Sequence, residues 1–143
     1  MNIFIVENSG IVRESLQSVL SSMPGINVVG YEMGETRAIE RIGALLPDAV
    51  IIDLRLQYGS GKGVLKYVKK YHATIKAIVF THDTDKLSID FCKRAGADYF
   101  FDKSFQFMQL REVLWKWAHT DRLDNGFRSD NKFDALQIAE GTS

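Results

Sequence analysis

The sequence predicts an α/β fold in which helices cover both faces of a parallel sheet. Along residues 1–118, short apolar runs alternate with longer segments whose apolar residues recur at helical spacing, which is typical of βα units. One short run, residues 49–52, is apolar without a break and ends in Asp53, as expected for a strand buried on both faces. Five such units in about 118 residues are enough for one domain with a sizeable core.

The predicted strands are short runs, most of them bounded by polar or turn-forming residues. They comprise residues 2–6, 27–31, 49–52, 77–81 and 98–101. The second run has little apolar content, so we expect it near an edge of the sheet.

The predicted helices carry apolar stripes, and several end at proline or glycine. They comprise residues 10–23, 36–46, 62–72, 84–95 and a fifth segment that begins near 104 or 105. Pro24 and Pro47 stop the first two helices, and Gly96 closes the fourth in a position that favours left-handed backbone.

Two helices have apolar residues that can be assigned to a face. The second helix buries one of two alternative sets: Ile39, Ile42 and Leu46, or Ala38, Ile42 and Leu45. In the fifth helix the i, i+3, i+4, i+7 pattern is met by Leu110, Val113, Leu114 and Trp117. Trp115 lies off that stripe, and we expect it either to contact a partner or to pack against the following segment.

Composition excludes several classes of protein. Eighteen basic and 18 acidic residues cancel, so the chain has no bulk field for holding nucleic acid, and we expect none to bind through it. No apolar stretch approaches ~20 residues and the N-terminus shows no signal peptide, which predicts a cytoplasmic protein without a membrane segment. Cys92 is the single cysteine, which excludes an intrachain disulfide and a cysteine-based zinc site.

The last residues differ from the rest in pattern. Residues 119–143 hold five acids and three bases, a net charge of −2, and few large apolar side chains. We predict that residues 1–118 form the domain and that residues 119–143 form a flexible tail with at most one short helix.

Polar side chains follow the predicted strands, and the carboxyl ends of parallel strands share one edge of a sheet. The converging residues are Glu7 and Asn8 after the first strand, Asp53 after the third, Thr81, His82 and Asp83 at the fourth, and Asp102 and Lys103 after the fifth. Oxygen ligands suit Mg²⁺, and a hydroxyl and an ammonium suit phosphoryl oxygens. We therefore hypothesise that Asp53 accepts a phosphoryl group with Mg²⁺ bound beside it.

Four motifs, in order and at βα spacing, resemble the receiver domain of two-component response regulators, including the chemotaxis regulators, over residues 1–118. They are Phe4-Ile5-Val6-Glu7-Asn8, Val50-Ile51-Ile52-Asp53-Leu54, Val79-Phe80-Thr81 and Ala95-Gly96-Ala97-Asp98-Tyr99-Phe100-Phe101-Asp102-Lys103. The resemblance implies a doubly wound, flavodoxin-like (βα)5 fold with strand order 2-1-3-4-5.

The resemblance also implies roles for individual residues. Asp53 would become an aspartyl-phosphate, and Thr81 and Lys103 would contact the phosphoryl oxygens. Glu7, Asn8, Asp53 and the backbone carbonyl of Arg55 would hold Mg²⁺. Thr81 and the aromatic Phe100 would form a switch that changes the surface of helix 4, strand 5 and helix 5.

Partners follow from the same resemblance. The donor would be a sensor histidine kinase or a phosphotransfer protein, and the output a downstream protein target. The chain would be a monomer or a phosphorylation-dependent dimer, and not an enzyme.

Departures from the family pattern and two neighbouring positions affect these expectations. Asn8 stands where the family has an acid, so we expect weaker Mg²⁺ binding. Ser104 stands where many members have proline, which leaves the isomer of the Lys103–Ser104 bond open. Arg55 and Asp83 each follow a key residue by two positions, and we expect them to tune the rate of dephosphorylation.

Simpler interpretations exist for single residues. Asp53 alone could cap a turn, and Asn8 could cap the first helix. Thr81 alone could be a plain strand residue, and Lys103 a surface lysine. We expect His72 and His82 to be surface or loop residues, since no second ligand is spaced for zinc, and Cys92 to be a helix residue without a role.

Other functions remain open on the sequence. A degenerate receiver would bind proteins without phosphorylation, and the chain could also be the N-terminal part of a longer DNA-binding regulator. A phosphohydrolase would typically place an acid two residues after Asp53, where Arg55 stands. A flavin-binding module would need a phosphate-cradling loop after the first strand, where Glu7 would repel a phosphate.

Overall fold

The computed structural model describes residues 1–119 and has at its centre a five-stranded parallel sheet with strand order β2-β1-β3-β4-β5. The strands are β1 (Asn2–Val6), β2 (Asn27–Glu32), β3 (Ala49–Ile52), β4 (Lys76–Thr81) and β5 (Tyr99–Asp102). They alternate with the helices α1 (Gly10–Ser21), α2 (Glu35–Leu45), α3 (Gly61–Tyr71), α4 (Lys86–Ala95) and α5 (Phe107–His119). The predicted doubly wound fold is confirmed, including the edge position of β2. The predicted tail lies outside the described residues except for His119.

Each face of the sheet packs against its own set of helices. The face towards α2, α3 and α4 buries a cluster that includes Phe4, Val64 and Phe100. The face towards α1 and α5 buries a second cluster that includes Leu16 and Leu114. Because β3 is covered on both faces, all four of its residues are buried, in agreement with its unbroken apolar sequence.

The four predicted apolar residues of α5 are buried, and Trp115 is 46% exposed. In α2 the structure buries Ala38 and Ile42, which the second predicted set contains. The third residue of both sets was wrong, because Leu45 and Leu46 are exposed at the end of the helix. Leu46 has left-handed backbone with φ of 48°, so the helix stops one residue before the predicted end.

Several predicted boundaries were wrong by one to three residues, since local hydrogen bonds set the helix ends. At the end of α1 the Ser22 and Met23 amides donate to Val19 and Leu20 three residues back, which tightens the last turn. At the start of α4 the Asp85 carboxylate accepts from the Ser88 amide, so the helix begins at 86 and not at 84.

The start of α5 is also later than predicted. Residues 103–105 form a turn, and the Gln106 amide donates to the Asp102 carbonyl at 2.9 Å. The buried Gln106 side chain accepts in return from the Asp102 amide at 2.7 Å, which fixes the entry into the helix. Within the described part of the chain no peptide bond is cis, so the Lys103–Ser104 bond is trans.

The predicted fifth strand was also placed too early. Asp98 precedes β5, and its carboxylate accepts from the Ala77 amide and from Lys69. Gly96 has the predicted left-handed backbone, with φ of 96° at the end of α4. None of the helices in residues 1–119 is long and apolar enough to cross a membrane.

Candidate functional site

A cleft of about 480 Å³ opens at the carboxyl edge of the sheet, where the loops that follow β1, β3, β4 and β5 meet. It contains every polar residue that the sequence places after these strands except Asp102. Its lining comprises Glu7, Asn8, Ser9, Val12, Asp53, Arg55, Thr81, His82, Asp83 and Lys103. The parallel register brings the ends together, since Val6 pairs with Ile52 and Thr81 pairs with Asp102.

Asp53 lies at the bottom of the cleft with its carboxylate held on both oxygens. Oδ1 accepts from the Thr81 hydroxyl at 2.9 Å and from the Arg55 amide at 3.2 Å. Oδ2 accepts from the Lys103 ammonium at 2.7 Å. The residue is 6% exposed, and its own amide donates to the Val6 carbonyl at 2.9 Å. A nearly buried carboxylate is thus ordered by one hydroxyl, one amide and one cation.

Lys103 connects the two carboxylates of the cleft. Its Nζ lies 2.9 Å from Glu7 Oε1 and 2.7 Å from Asp53 Oδ2, and its side chain is 7% exposed. The Glu7 carboxylate also accepts from the Ser9 amide at 2.9 Å. Burial raises the pKa of Glu7 above its usual value, and the Asp53 charge adds to the increase, while Lys103 and the Ser9 amide oppose it.

Thr81 forms the link between Asp53 and the rim of the cleft. Its buried hydroxyl donates to Asp53 and accepts from the Asp83 amide at 3.2 Å. The Asp83 carboxylate in turn lies 2.9 Å from Arg55 Nη2, although the Arg55 side chain is 79% exposed. The two positions that we expected to tune dephosphorylation therefore contact each other at the mouth of the cleft.

Close backbone packing sets the position of the loop after β3. Gly61 begins α3, and a Cβ there would lie against the Asp53 carbonyl oxygen and 2.7 Å from Leu54 Cα. The Gly61 amide donates to the Leu54 carbonyl at 2.9 Å, and the Ser60 hydroxyl accepts from Lys62 as the helix cap. Only glycine allows this approach, so Gly61 contributes to the placement of Asp53.

The oxygen ligands of the cleft fit a hard divalent cation, although Asn8 supplies a neutral amide where a carboxylate would add a negative charge. The Glu7 and Asp53 carboxylates, the Asn8 amide and the loop that carries Arg55 border the same cleft, while the third acid of the lining, Asp83, pairs with Arg55. Within residues 1–119 no group of three or more His, Cys, Asp or Glu side chains could hold a metal ion. Asn8 is exposed and lines the cleft, while the helix cap of α1 is Ser9, whose hydroxyl accepts from the Val12 amide. A cation would therefore depend on the amide, a carbonyl and water beside the two acids.

The remaining predicted residues do not line the cleft. Phe100 is fully buried in β5, one residue before the position that pairs with Phe80. The Cys92 thiol is buried in α4, and burial raises its pKa to about 12. His72 follows α3 outside the cleft lining, and its Nε2 lies 3.0 Å from the Tyr67 hydroxyl.

Two contacts of the site were missed on the sequence. The ring of His82 lines the cleft, and its Nδ1 lies 3.1 Å from the Ser104 hydroxyl of the loop after β5. The second is the Arg55–Asp83 ion pair, whose members we selected without expecting contact. Both join loops that are more than 20 residues apart, and no local pattern in the sequence indicates such pairs.

Comparisons with known proteins identify relatives of this chain. The family model described as response regulator receiver domain matches residues 3–114. The DNA-binding transcriptional activator DevR/DosR of Mycobacterium tuberculosis is 28% identical over 127 residues, which cover 87% of this chain and 58% of that protein. The protein-glutamate methylesterase/protein-glutamine glutaminase 2 of Pseudomonas fluorescens is 25% identical over 138 residues, which cover 94% of this chain and 36% of that protein.

A solved structure agrees with these matches. The response regulator domain of Thermotoga maritima CheB has a TM-score of 0.69 and 26% identity to this chain, covering 81% of this chain and 92% of that domain. The chain spans only 36% and 58% of the two curated relatives, so it corresponds to one part of each.

Proposed function

Since the chain belongs to the response regulator receiver domain family, we propose that it is a phosphorylation-dependent switch whose phospho-acceptor is Asp53. The observation that carries this proposal is the bonding of the Asp53 carboxylate at the bottom of an open cleft. One oxygen is beside the Thr81 hydroxyl and the other beside the Lys103 ammonium, which are the donors that a phosphoryl group would need.

The geometry supports nucleophilic transfer to Asp53. An oxygen of the carboxylate attacks phosphorus, the bond between phosphorus and the donor oxygen or nitrogen breaks, and the donor leaves with that electron pair. The Lys103 ammonium balances charge on the phosphoryl oxygens, and the Thr81 hydroxyl turns from Asp53 to donate to one of them. Hydrolysis returns the carboxylate when water attacks the same phosphorus, and Arg55 and Asp83 lie at the mouth through which that water passes.

Receiver domains generally bind Mg²⁺, and we propose that the residues of this cleft hold it. Glu7, Asn8, Asp53 and the Arg55 carbonyl would be the protein ligands. When bound, the cation offsets the negative charge of the phosphoryl oxygens and the carboxylates. Because Asn8 supplies an amide in place of a carboxylate, we propose that the affinity for Mg²⁺ is lower than is usual in the family.

The output of the switch would be a change of surface. Thr81 is followed by the loop to α4, so its movement towards a phosphoryl group would pull that loop inward. The buried ring of Phe100 on the neighbouring strand would follow, and the surface formed by α4, β5 and α5 would change. A downstream protein would read this surface, in a monomer or in a dimer that forms on phosphorylation.

Receiver domains partner with histidine kinases, and we propose that a sensor histidine kinase or a phosphotransfer protein supplies the phosphoryl group. Receivers are usually cytoplasmic, and the proposal places this chain there. A stand-alone receiver is typically non-catalytic, and the methylesterase relatives are longer than this chain. The relative from Mycobacterium tuberculosis is named as a DNA-binding activator, so a longer regulator with a DNA-binding part is compatible with the same switch.

A second candidate is a degenerate receiver that binds its partner without phosphorylation. Asn8 favours it, because only the Glu7 and Asp53 carboxylates meet beside Lys103, where the family usually has three acids. Lys103 already neutralises one of them in the absence of a phosphoryl group. A surface fixed in one state would then carry the function.

The test is intact mass after incubation with acetyl phosphate, with and without Mg²⁺, beside Asp53→Asn. We expect a Mg²⁺-dependent gain of one phosphoryl group in the parent and none in the variant. A folded parent that gains no mass at any Mg²⁺ concentration would contradict the proposal in favour of the degenerate receiver. Asn8→Asp then serves as the matched variant, and uptake restored by the added acid would identify the missing charge as the cause.

A further inference from the structure

His82 and Ser104 extend the pairing of β4 and β5 beyond the edge of the sheet. The last regular pair is Thr81 with Asp102, and the Lys103 amide then donates to the Thr81 carbonyl at 2.9 Å. One residue further out, His82 Nδ1 and Ser104 Oγ lie 3.1 Å apart. A side-chain hydrogen bond thus joins the residue after Thr81 to the residue after Lys103.

The chain around this bond is held at several further points. The Ser104 amide donates to the Asp102 carboxylate at 2.7 Å, and the Thr84 amide donates to the His82 carbonyl at 3.0 Å. Asp83, next to His82, pairs with Arg55 on the opposite rim. The loop after β4 is therefore tied on both sides of the cleft, to the loop after β5 and to the loop after β3.

This position matters for an incoming phosphoryl group. At present the Thr81 hydroxyl and the Lys103 ammonium both lie within 3 Å of the Asp53 carboxylate. A phosphoryl group on Asp53 would take over both of these donors, so Thr81 turns towards it and the two loops shift relative to each other. During transfer the leaving atom of the donor lies in line with phosphorus and the attacking Asp53 oxygen, on the side away from Asp53. In hydrolysis the attacking water takes that same position. The rim that contains His82 borders that path.

We propose that His82 and Ser104 are positioning residues for phosphoryl transfer, and that their hydrogen bond holds Thr81 and Lys103 at the spacing of the unphosphorylated site. The inference rests on the proposed function of Asp53. Breaking the bond lets the two loops shift at lower cost, so the phosphoryl group arrives faster. Its loss starts from loops that have already shifted, so the rate of loss stays close to that of the parent. Neither residue touches the reacting atoms, and their effect passes through Thr81 and Lys103.

The experiment measures the rate of uptake from acetyl phosphate and the rate of loss after donor removal, both by intact mass at saturating Mg²⁺. The variants of the full chain are Ser104→Ala, which removes the bond and keeps the imidazole, His82→Ala, and the double variant. Ser104→Thr keeps the hydroxyl and tests rescue. Thr84→Ala, on the same loop, is the matched control.

We expect each single variant to raise the rate of uptake by about two- to tenfold, the range for the loss of one exposed hydrogen bond, and to leave the rate of loss within about twofold of the parent. Because both substitutions remove the same bond, the double variant should equal the single ones, while Ser104→Thr and Thr84→Ala keep the parent rates. A role in folding alone would change melting temperature without this pattern of rates. A parent rate of uptake in Ser104→Ala, an effect of His82→Ala alone, or multiplicative effects in the double variant would each overturn the proposal.

Hydrogen exchange of the unphosphorylated chain separates this proposal from the function of Asp53. The amides of Asp83 and Thr84 should exchange faster in Ser104→Ala than in the parent, since the tie between the loops is lost. If the parent takes up no phosphoryl group, the function of Asp53 fails and the positioning role fails with it, even where exchange shows that the bond ties the loops. If the parent is phosphorylated and neither the rates nor exchange respond to Ser104→Ala, the positioning role alone is overturned.

Discussion

Replacing Lys103 with methionine tests how much the ammonium contributes to stability by neutralising two nearly buried carboxylates, Glu7 and Asp53. Methionine keeps much of the side-chain volume and removes the charge. Asp53 retains the Thr81 hydroxyl and the Arg55 amide as donors, so the larger change is at Glu7. Glu7 is 2% exposed and already has a raised pKa because of burial, and Lys103 supplies two of the contributions that lower it. The variant should therefore raise the pKa of Glu7 further.

The size of the effect has a ceiling, because Glu7 can take up a proton from solution instead of staying charged. Its ordinary value is 4.5, so protonation at pH 7 spans a gap of about 2.5 pH units. At about 1.36 kcal/mol per unit, the ceiling from Glu7 is about 3.4 kcal/mol. A group whose pKa is raised by folding contributes full stability below the unfolded value and loses it as pH rises through the folded value. The parent already carries part of this cost, because burial has raised its Glu7 pKa, so we expect Lys103→Met to lose less than this ceiling at pH 7, on the order of 1–3 kcal/mol, and much less at pH 4.

Urea denaturation between pH 4 and pH 8 measures this difference. Lys86→Met is the matched control, because the Lys86 side chain is 87% exposed and pairs with Asp90 on the surface of one helix. That control should change stability by less than ~0.5 kcal/mol at every pH. The reasoning is refuted if Lys103→Met is as stable as the parent at pH 7, or if its loss of stability is the same at pH 4 and pH 7.

Three other substitutions or reagents test further features. Gly61→Ala should lower the free energy of unfolding by about 1–3 kcal/mol, because the added Cβ would meet backbone atoms. Gly10→Ala is the control in the same urea titration and should be within ~0.5 kcal/mol of the parent, because its added Cβ would have no contact closer than 3.7 Å. Burial raises the pKa of Cys92 to about 12 from 9.0, so a thiol reagent at pH 8 should react ~1,000-fold more slowly with the folded chain than in guanidinium chloride, and equal rates would contradict the burial. Exchanging Arg55 or Asp83 for alanine should alter the decay rate of the phosphorylated chain more than its stability, and decay rates equal to the parent's would oppose a tuning role.

The fold could be predicted from sequence because its signals are periodic and local. The unbroken apolar run of β3 and the helical stripe of α5 depend on neighbours within a few residues, and both predictions are confirmed. The meeting of the strand ends then follows from the parallel sheet, so Glu7 and Lys103 could be placed together although 96 residues separate them. Their roles in phosphoryl transfer stay predictions.

Loop geometry accounts for most of what the sequence did not show. The start of α4 was predicted two residues too early, because the Asp85 carboxylate caps the helix by accepting from the Ser88 amide. An aspartate before a helical segment is a signal for such a cap that the sequence does contain. The start of α5 depends on the reciprocal contact of Gln106 with the Asp102 backbone. A single glutamine in the sequence does not indicate that its side chain is buried and bonded in this way. The cross-loop contacts of the rim depend on the conformation of two loops at once, and no single segment encodes that.

The charges at the bottom of the cleft link the binding of Mg²⁺ to phosphorylation. Glu7, Asp53 and Lys103 together carry a formal charge of −1. A phosphoryl group on Asp53 replaces one negative charge with about two, which brings the cluster to about −2, and uptake of a divalent cation then brings it to about zero. With an acid in place of Asn8 the same state would keep a charge of about −1. We therefore expect cation affinity to rise on phosphorylation, and by thermodynamic linkage the free Mg²⁺ concentration then determines what fraction of the chain carries the signal.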